Sequence, residues 1–251
     1  MKKLMFVAAA ALCGSLFADV TSANIVGYQN KTIPALNSMS IPSFSPVGAE
    51  TATDVTSLKI TAADVAGGQI QIQTLTSGGA TDRTLYWIPE AEAEGYGLET
   101  EGWYDSDEGC PAEKSFEEGE GFCFSNDYEG DASVTFSGEV ASGATEFPLG
   151  PLNTACGNMT PVDCPIQGIV VTAEGVAGGQ IQIQTLTSGG ATDRTFYWIP
   201  EEEAEGYGLE GEGWYDSDEG TPADISFGPG EGFCVSNDYE GDATMTIPAA
   251  Y

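Results

Sequence analysis

Gln69-Ile70-Gln71-Ile72-Gln73, Ser77-Gly78-Gly79-Ala80 and Thr84-Leu85-Tyr86-Trp87-Ile88 follow one another within twenty residues, and their reading decides the fold. The first stretch alternates polar and apolar residues strictly, which is the period of a half-buried strand. The third is rich in β-branched and aromatic residues. The Gly-Gly pair between them suits a two-residue hairpin turn, whose central positions need positive φ. With Gly78 and Gly79 at the centre, Ile72 faces Leu85 and Ile70 faces Trp87. Gln71 then faces Tyr86 and Gln73 faces Thr84 on the opposite side. The apolar set collects on one face, and a slip of one residue would move all of it to the other.

Outward from this hairpin, further strands are expected at Ser38 to Phe44, Ser57 to Thr61, Gly102 to Asp105, Gly121 to Ser125 and Ala132 to Val140. Clusters of Pro, Gly, Asn and Asp separate them. No segment keeps a helical period over three turns, and the one helical candidate is Glu90 to Glu94 after Pro89. The hairpin itself recurs. Val65 to Phe136 returns as Val176 to Ile247 with 60 of 72 positions identical. A repeat of that length is a domain and not a solenoid unit. The expected fold class is therefore all-β, with two tandem antiparallel β-sandwich or barrel-like modules, 19–138 and 139–251. The swaps Leu85/Phe196, Phe124/Val235, Val134/Met245 and Phe136/Ile247 keep apolar character and mark core positions. Thr100/Gly211, Cys110/Thr221, Lys114/Ile225 and Glu117-Glu118/Gly228-Pro229 do not, and mark exposed loop.

The N-terminus reads as an export signal over 1–18. Lys2 and Lys3 precede an apolar run from Leu4 to Leu12, small residues follow, and cleavage is expected after Ala18. The run is shorter than the roughly 20 residues a spanning helix needs. The expected location is periplasmic, cell-surface or extracellular, with no membrane span. The chain has 251 residues, 39 Asp and Glu against 7 Lys and Arg, a formal charge of -32 and no histidine. Lack of histidine removes the Ser-His-Asp and Cys-His arrangements and the HExxH zinc site. The charge argues against nucleic acid, since phosphate contacts need cations.

Thr21-Ser22-Ala23-Asn24-Ile25-Val26-Gly27-Tyr28 opens the expected mature chain. Gly119-Glu120-Gly121-Phe122 recurs as Gly230 to Phe233, and Ser137-Gly138-Glu139-Val140 closes the first module. With these motifs the chain resembles a group of secreted bacterial β-module repeat proteins, which combine a signal peptide, an N-I-V-G-Y start, G-x-G-F and S-G-x-V. Such modules often carry Trp after G-F, where Cys123 and Cys234 stand here. The resemblance implies an envelope or extracellular location and brings no catalytic residues.

Candidate chemistry is sparse. Trp103-Tyr104-Asp105-Ser106-Asp107-Glu108-Gly109 recurs as Trp214 to Gly220, and Asn126 to Asp131 recurs as Asn237 to Asp242. Crowded oxygen ligands in loops suit calcium, so Asp105, Asp107, Glu108, Asp216, Asp218 and Glu219 are the candidate metal ligands. The spacing is not that of an EF-hand, and the same residue types also make turns. Tyr86, Trp103, Tyr104, Tyr197, Trp214 and Tyr215 are the candidate ligand-binding residues, because rings beside carboxylates and amides suit a polysaccharide. A core role for the Trp103 ring is the competing reading. Cys156 and Cys164 are expected to form a disulfide, since export favours oxidation, while Cys123 and Cys234 are expected to fill small core sites. Gly206 to Gly211 matches G-x-G-x-x-G but lacks the strand and helix a dinucleotide site needs. No nucleotide, flavin or haem is expected.

The resulting expectation is a non-enzymatic exported structural or adhesive protein of the bacterial cell surface or matrix. Its partners would be polysaccharide, other surface or matrix components, or further copies of itself through the uncharged Gln69 to Thr74 strand. A carbohydrate-binding protein assisted by calcium is the alternative. An acidic glycoside hydrolase is a third, needing a buried carboxylate pair in a cleft.

Overall fold

A computed structural model describes residues 26–42, 53–76, 81–116, 120–139, 143–150, 152–187 and 191–249. The expected signal peptide, its cleavage site and the Gly78-Gly79 turn lie outside the described residues. The first half contains β1 (Val26–Ile33), β2 (Asn37–Pro42), β3 (Thr53–Asp54), β4 (Lys59–Thr61), β5 (Ile70–Leu75), β6 (Thr81–Ile88), β7 (Gly102–Asp105), β8 (Cys110–Pro111), β9 (Ser115–Phe116), β10 (Gly121–Asn126) and β11 (Ala132–Glu139). The second contains β12 (Thr145–Leu149), β13 (Leu152–Gly157), β14 (Cys164–Pro165), β15 (Val170–Ala173), β16 (Ile181–Leu186), β17 (Thr192–Ile199), β18 (Gly213–Asp216), β19 (Thr221–Pro222), β20 (Ser226–Phe227), β21 (Gly232–Asn237) and β22 (Ala243–Ile247). The protein is all-β, its strands paired antiparallel, and Glu201–Ala204 is the one α-helix among the described residues.

Each half repeats the same pairing. A six-stranded sheet runs β2-β10-β5-β6-β7-β8, with a three-stranded sheet β1-β11-β4 and the short pair β3-β9. The second half runs β13-β21-β16-β17-β18-β19, β12-β22-β15 and β14-β20. The diverged front segments thus supply equivalent strands in both halves. Each half also has its own cluster of buried side chains.

The expected hairpin register is present. Gln71 pairs Tyr86, Ile72 pairs Leu85 and Gln73 pairs Thr84. Closer to the turn the ladder shifts, and Leu75 pairs Thr81 across an irregularity that recurs in the second half. A bulge of this kind inserts one residue and strengthens the local twist. Along β5, Ile70 and Ile72 are fully buried and the glutamines half-buried. Leu85, Phe196, Phe124, Val235, Val134, Met245 and Ile247 are all buried, as the conservative swaps implied. Lys114 and Ile225 correct the loop reading. Lys114 is half-buried against Glu120 and the Phe116 ring, and Ile225 packs on the core.

Two further expectations are overturned. Pairing with further copies through Gln69 to Thr74 needs an uncovered edge there, yet β5 lies between β10 and β6 and β16 between β21 and β17. Both sides of its backbone are already paired. The six-stranded sheets end at β2 and β8, and at β13 and β19; β8 and β19 are two residues long and end in proline, which blunts association at that side. The Glu90 to Glu94 helix is instead a 3-10 turn at Ala93–Tyr96 closed by Gly97 at φ 73°. The short α-helix Glu201–Ala204 stands at the corresponding place in the second half, with three glutamates in its first turn.

Candidate functional site

Strand alternation places the candidate residues on two opposite faces of the six-stranded sheets. In β7, Trp103 and Asp105 point inward while Tyr104 points outward. Tyr104 pairs Tyr86 of β6, and Tyr86 pairs Gln71 of β5. One outward row therefore reads Ser125, Gln71, Tyr86, Tyr104 across four strands. The second half repeats it as Ser236, Gln182, Tyr197, Tyr215. All are half-buried. Tyr96 meets Tyr104 edge-on at 4.9 Å, and Tyr207 meets Tyr215 in the same way. The Tyr86 ring lies over Gly68, where a Cβ would stand 3.6 Å from it. Gln71 donates to the Gly68 carbonyl and to Asp127, which fixes its amide in the row. Tyr96, Gly68 and Gln71 extend the expected set; the alternation of β5 and β6 already pointed to Gln71.

Of the two readings of Trp103, the core one holds: Trp103 and Trp214 are core residues and do not belong to this platform. They are 1% and 0% exposed. The Trp103 indole N–H donates to the Leu58 carbonyl at 2.9 Å, and that of Trp214 to Ile169 at 2.7 Å. Trp103 packs edge-on to Trp87 at 5.4 Å. The reason is parity. Adjacent residues of a strand face opposite sides, so Trp103 cannot share a surface with Tyr104.

The acidic loops are built as turns. Asp105 is 1% exposed, and one of its oxygens accepts the N–H groups of Asp107 at 2.9 Å and Glu108 at 3.0 Å. Its other oxygen pairs with Arg83 at 3.2 Å, and Arg83 also holds Glu108. Asp107 accepts from the Thr84 N–H, and Gly109 closes the loop at φ 71°. The copy is the same: Asp216 accepts from Asp218 and Glu219, Arg194 pairs with Asp216 and Glu219, and Asp218 accepts from Thr195. Burial pushes the Asp216 carboxyl up, but the Glu219 N–H, the Arg194 guanidinium and the Asp218 N–H outweigh it and hold it below the ordinary carboxylate value. The six expected metal ligands are thus turned to amides and guanidinium groups, not to a common point. Among the described residues no group of three or more Cys, Asp or Glu side chains is placed to hold an ion. The second acidic loop is likewise a turn, with buried Asn126 donating to the Ile33, Pro34 and Gly130 carbonyls and accepting from the Tyr128 N–H.

The cysteines also depart from expectation. Cys156 and Cys164 are buried thiols with no disulfide between them. Cys156 sits on β13 opposite Phe233, and Cys164 on β14 opposite Phe227. Burial pushes the Cys164 thiol up to about 11. Cys123 and Cys234 are half-buried on the outward face of their sheets, away from the Phe122-Phe124 and Phe233-Val235 cores.

A cleft of about 520 Å³ in the second half is lined by Trp198, Val176, Glu174, Glu201, Glu203 and Glu212. Each of these glutamates is exposed. The buried carboxylates among the described residues are Asp105 and Asp216, both already paired with arginine. No helix among the described residues is long and apolar enough to cross a membrane. Compared with protein-family models, curated proteins and solved structures, the chain matches none. What the geometry defines is a class: an all-β protein with a duplicated tyrosine-glutamine sheet face.

Proposed function

We propose that the chain is a non-enzymatic exported protein of two antiparallel β-sandwich modules, acting as an adhesive component of the bacterial cell surface or matrix. One observation carries this reading. The same outward row of Tyr86 and Tyr104 stands again as Tyr197 and Tyr215, and none of these hydroxyls has a hydrogen-bond partner among the described residues. Two equal faces on one chain let weak contacts act together, since linked sites bind with an effective concentration far above that of either alone. Among the described residues, the two buried carboxylates, Asp105 and Asp216, are both held by arginine.

Polysaccharide is the ligand class the row favours. An aromatic ring offers an apolar face and a polar tip, and the glutamine amides offer donors and acceptors to sugar hydroxyls. Calcium enters this reading as one of the cations screening the acidic surface. On a glycan array, with and without EDTA, binding is expected in both conditions. The double substitution Tyr86→Ala with Tyr197→Ala is expected to weaken it about tenfold or more, the loss typical of removing an aromatic anchor. Retention unchanged by that substitution would overturn the tyrosine face as the site. A protein that binds no glycan and no matrix component would overturn the adhesive reading itself.

Charge repulsion sets a second expectation. A chain with 39 acidic and 7 basic side chains repels itself when compact. Raising sodium chloride from about 10 to 300 mM shortens the screening length from about 30 Å to under 10 Å. Tm is expected to rise with it. Magnesium and calcium at equal ionic strength are expected to act alike. A Tm that responds to calcium alone, and falls with EDTA, would restore a specific calcium site.

A further inference from the structure

The two halves meet through the outward faces of their six-stranded sheets. Strand β10 lies against β13, β2 against β21 and β2 against β13. The residues facing across this layer are small. In β10, Phe122, Phe124 and Asn126 point into the first core, leaving Cys123 and Ser125 on the other side. In β21, Phe233, Val235 and Asn237 point into the second core, leaving Gly232, Cys234 and Ser236.

Sheets packed face to face ordinarily stand about 10 Å apart. Here they come closer. A Cβ on Gly121 would lie 2.5 Å from the Ala155 carbonyl carbon and 2.8 Å from its Cβ, so only glycine fits there. That contact sets the register of the layer. Gly121 is two residues along β10 from Cys123, on the same face. Ala155 is the direct ladder partner of Cys234. Cys123 and Cys234 are themselves equivalent positions of the duplication, and both stand on the layer between the halves.

Both are thiols in this structure, and we propose that Cys123 and Cys234 are a disulfide-forming pair that ties the two halves together on oxidation. Burial raises the Cys156 thiol and Cys234 raises it further, so Cys234 lies within electrostatic reach of Cys156 as well as of Cys123. The Cys234 thiol is pushed up to about 11, chiefly by burial and further by Cys123. Lys31 on β1 lies within electrostatic reach of Glu231 in the second half. Burial lowers its pKa, and Glu231, next to Gly232, partly opposes that. Cys156 is a poorer partner for Cys234, because it lies one residue further along β13 and points into the second core.

The oxidant is a disulfide, either of a low-molecular-weight thiol or of a thiol-disulfide oxidoreductase, as an exporting cell supplies. One cysteine thiolate attacks a sulfur of that disulfide, forming a mixed disulfide and releasing the first thiol. The second cysteine attacks the mixed disulfide at the protein sulfur and releases the second thiol. Two electrons pass from the cysteine pair to the oxidant, and the two cysteine protons end on the released thiols.

The inference goes beyond the adhesive reading, and its test does not depend on what the tyrosines bind. The full chain is refolded in a mixture of oxidised and reduced glutathione and mapped by peptic digestion under non-reducing conditions. The expected result is one peptide pair joined through Cys123 and Cys234, with two thiols per chain lost from the titration. Cys123→Ser and Cys234→Ser are each expected to abolish that peptide pair. Their circular dichroism, compared with that of the reduced parent, confirms that they fold. A folded chain in which both cysteines remain thiols or carry only glutathione overturns the proposal. A peptide joining Cys156 to Cys164 or to Cys234 overturns it equally.

Discussion

Replacing Trp103 with alanine will destabilise the first half by about 3–5 kcal/mol, the usual loss for a large aromatic removed from a core. The ring is 1% exposed, contacts Trp87 edge-on and lies 6.1 Å from Phe124, so its removal leaves a void among rigid neighbours. The indole N–H is also the donor to the Leu58 carbonyl, which follows the 3-10 turn Val55–Ser57. Trp103→Phe keeps most of the volume but orphans that carbonyl, at a cost of about 1–3 kcal/mol. Urea unfolding followed by circular dichroism measures both. The second half has its own buried cluster, so the direct loss falls on the first half, and the second is affected through the layer the two share. An unfolding midpoint indifferent to Trp103→Ala would mean that the ring is not a core anchor. Tyr86→Ala should show the opposite profile, with binding reduced and the midpoint little moved.

The contrast between these variants locates what was legible in the residues alone. The hairpin register followed from alternation together with the Gly-Gly turn: alternation excludes odd slips, which would split the apolar side chains between the faces, and the turn chooses among the rest. The same rule applied to Gly102 to Asp105 turns Trp103 and Tyr104 to opposite faces, so the two cannot share a platform. Once Trp103 is inward, Asp105 must be inward too, and a buried carboxylate needs partners. Arg83 and the loop amides supply them, which is why a sequence that suggests a calcium loop folds as an arginine-anchored turn. The bulge near Leu75 was not legible, since nothing in Thr74 to Thr76 distinguishes a regular ladder from a shifted one. Nor was the central place of β5, because strand order is set by pairings distant in sequence. Cys123 was misread for a related reason. Its small size suits a core site, but parity with Phe122 and Phe124 turns it outward, and only the opposing sheet explains why it is small.

Asp216 is the second position where a large effect is expected. Asp216→Ala removes the acceptor for two loop N–H groups and leaves Arg194 without its buried partner. The expected loss is about 2–4 kcal/mol, below the full value for a buried pair because the arginine reaches solvent. Asp216→Asn keeps an oxygen for the two N–H groups and loses only the charge, so about 1–2 kcal/mol is expected. The pH dependence separates charge from shape. The folded carboxyl lies below the ordinary value, so its contribution is fully present above the unfolded pKa of about 4. It is lost as pH falls through the lower, folded value. The gap in midpoint between the parent and Asp216→Asn should therefore be constant from about pH 7 to 5 and close as the solution is acidified below about pH 4. Protonation of the other carboxylates relieves repulsion in both proteins alike, so the gap, and not either midpoint, carries the information. A gap that persists undiminished at pH 2, or that widens on acidification, would show that Asp216 stabilises the turn through its shape and not through the ion pair with Arg194.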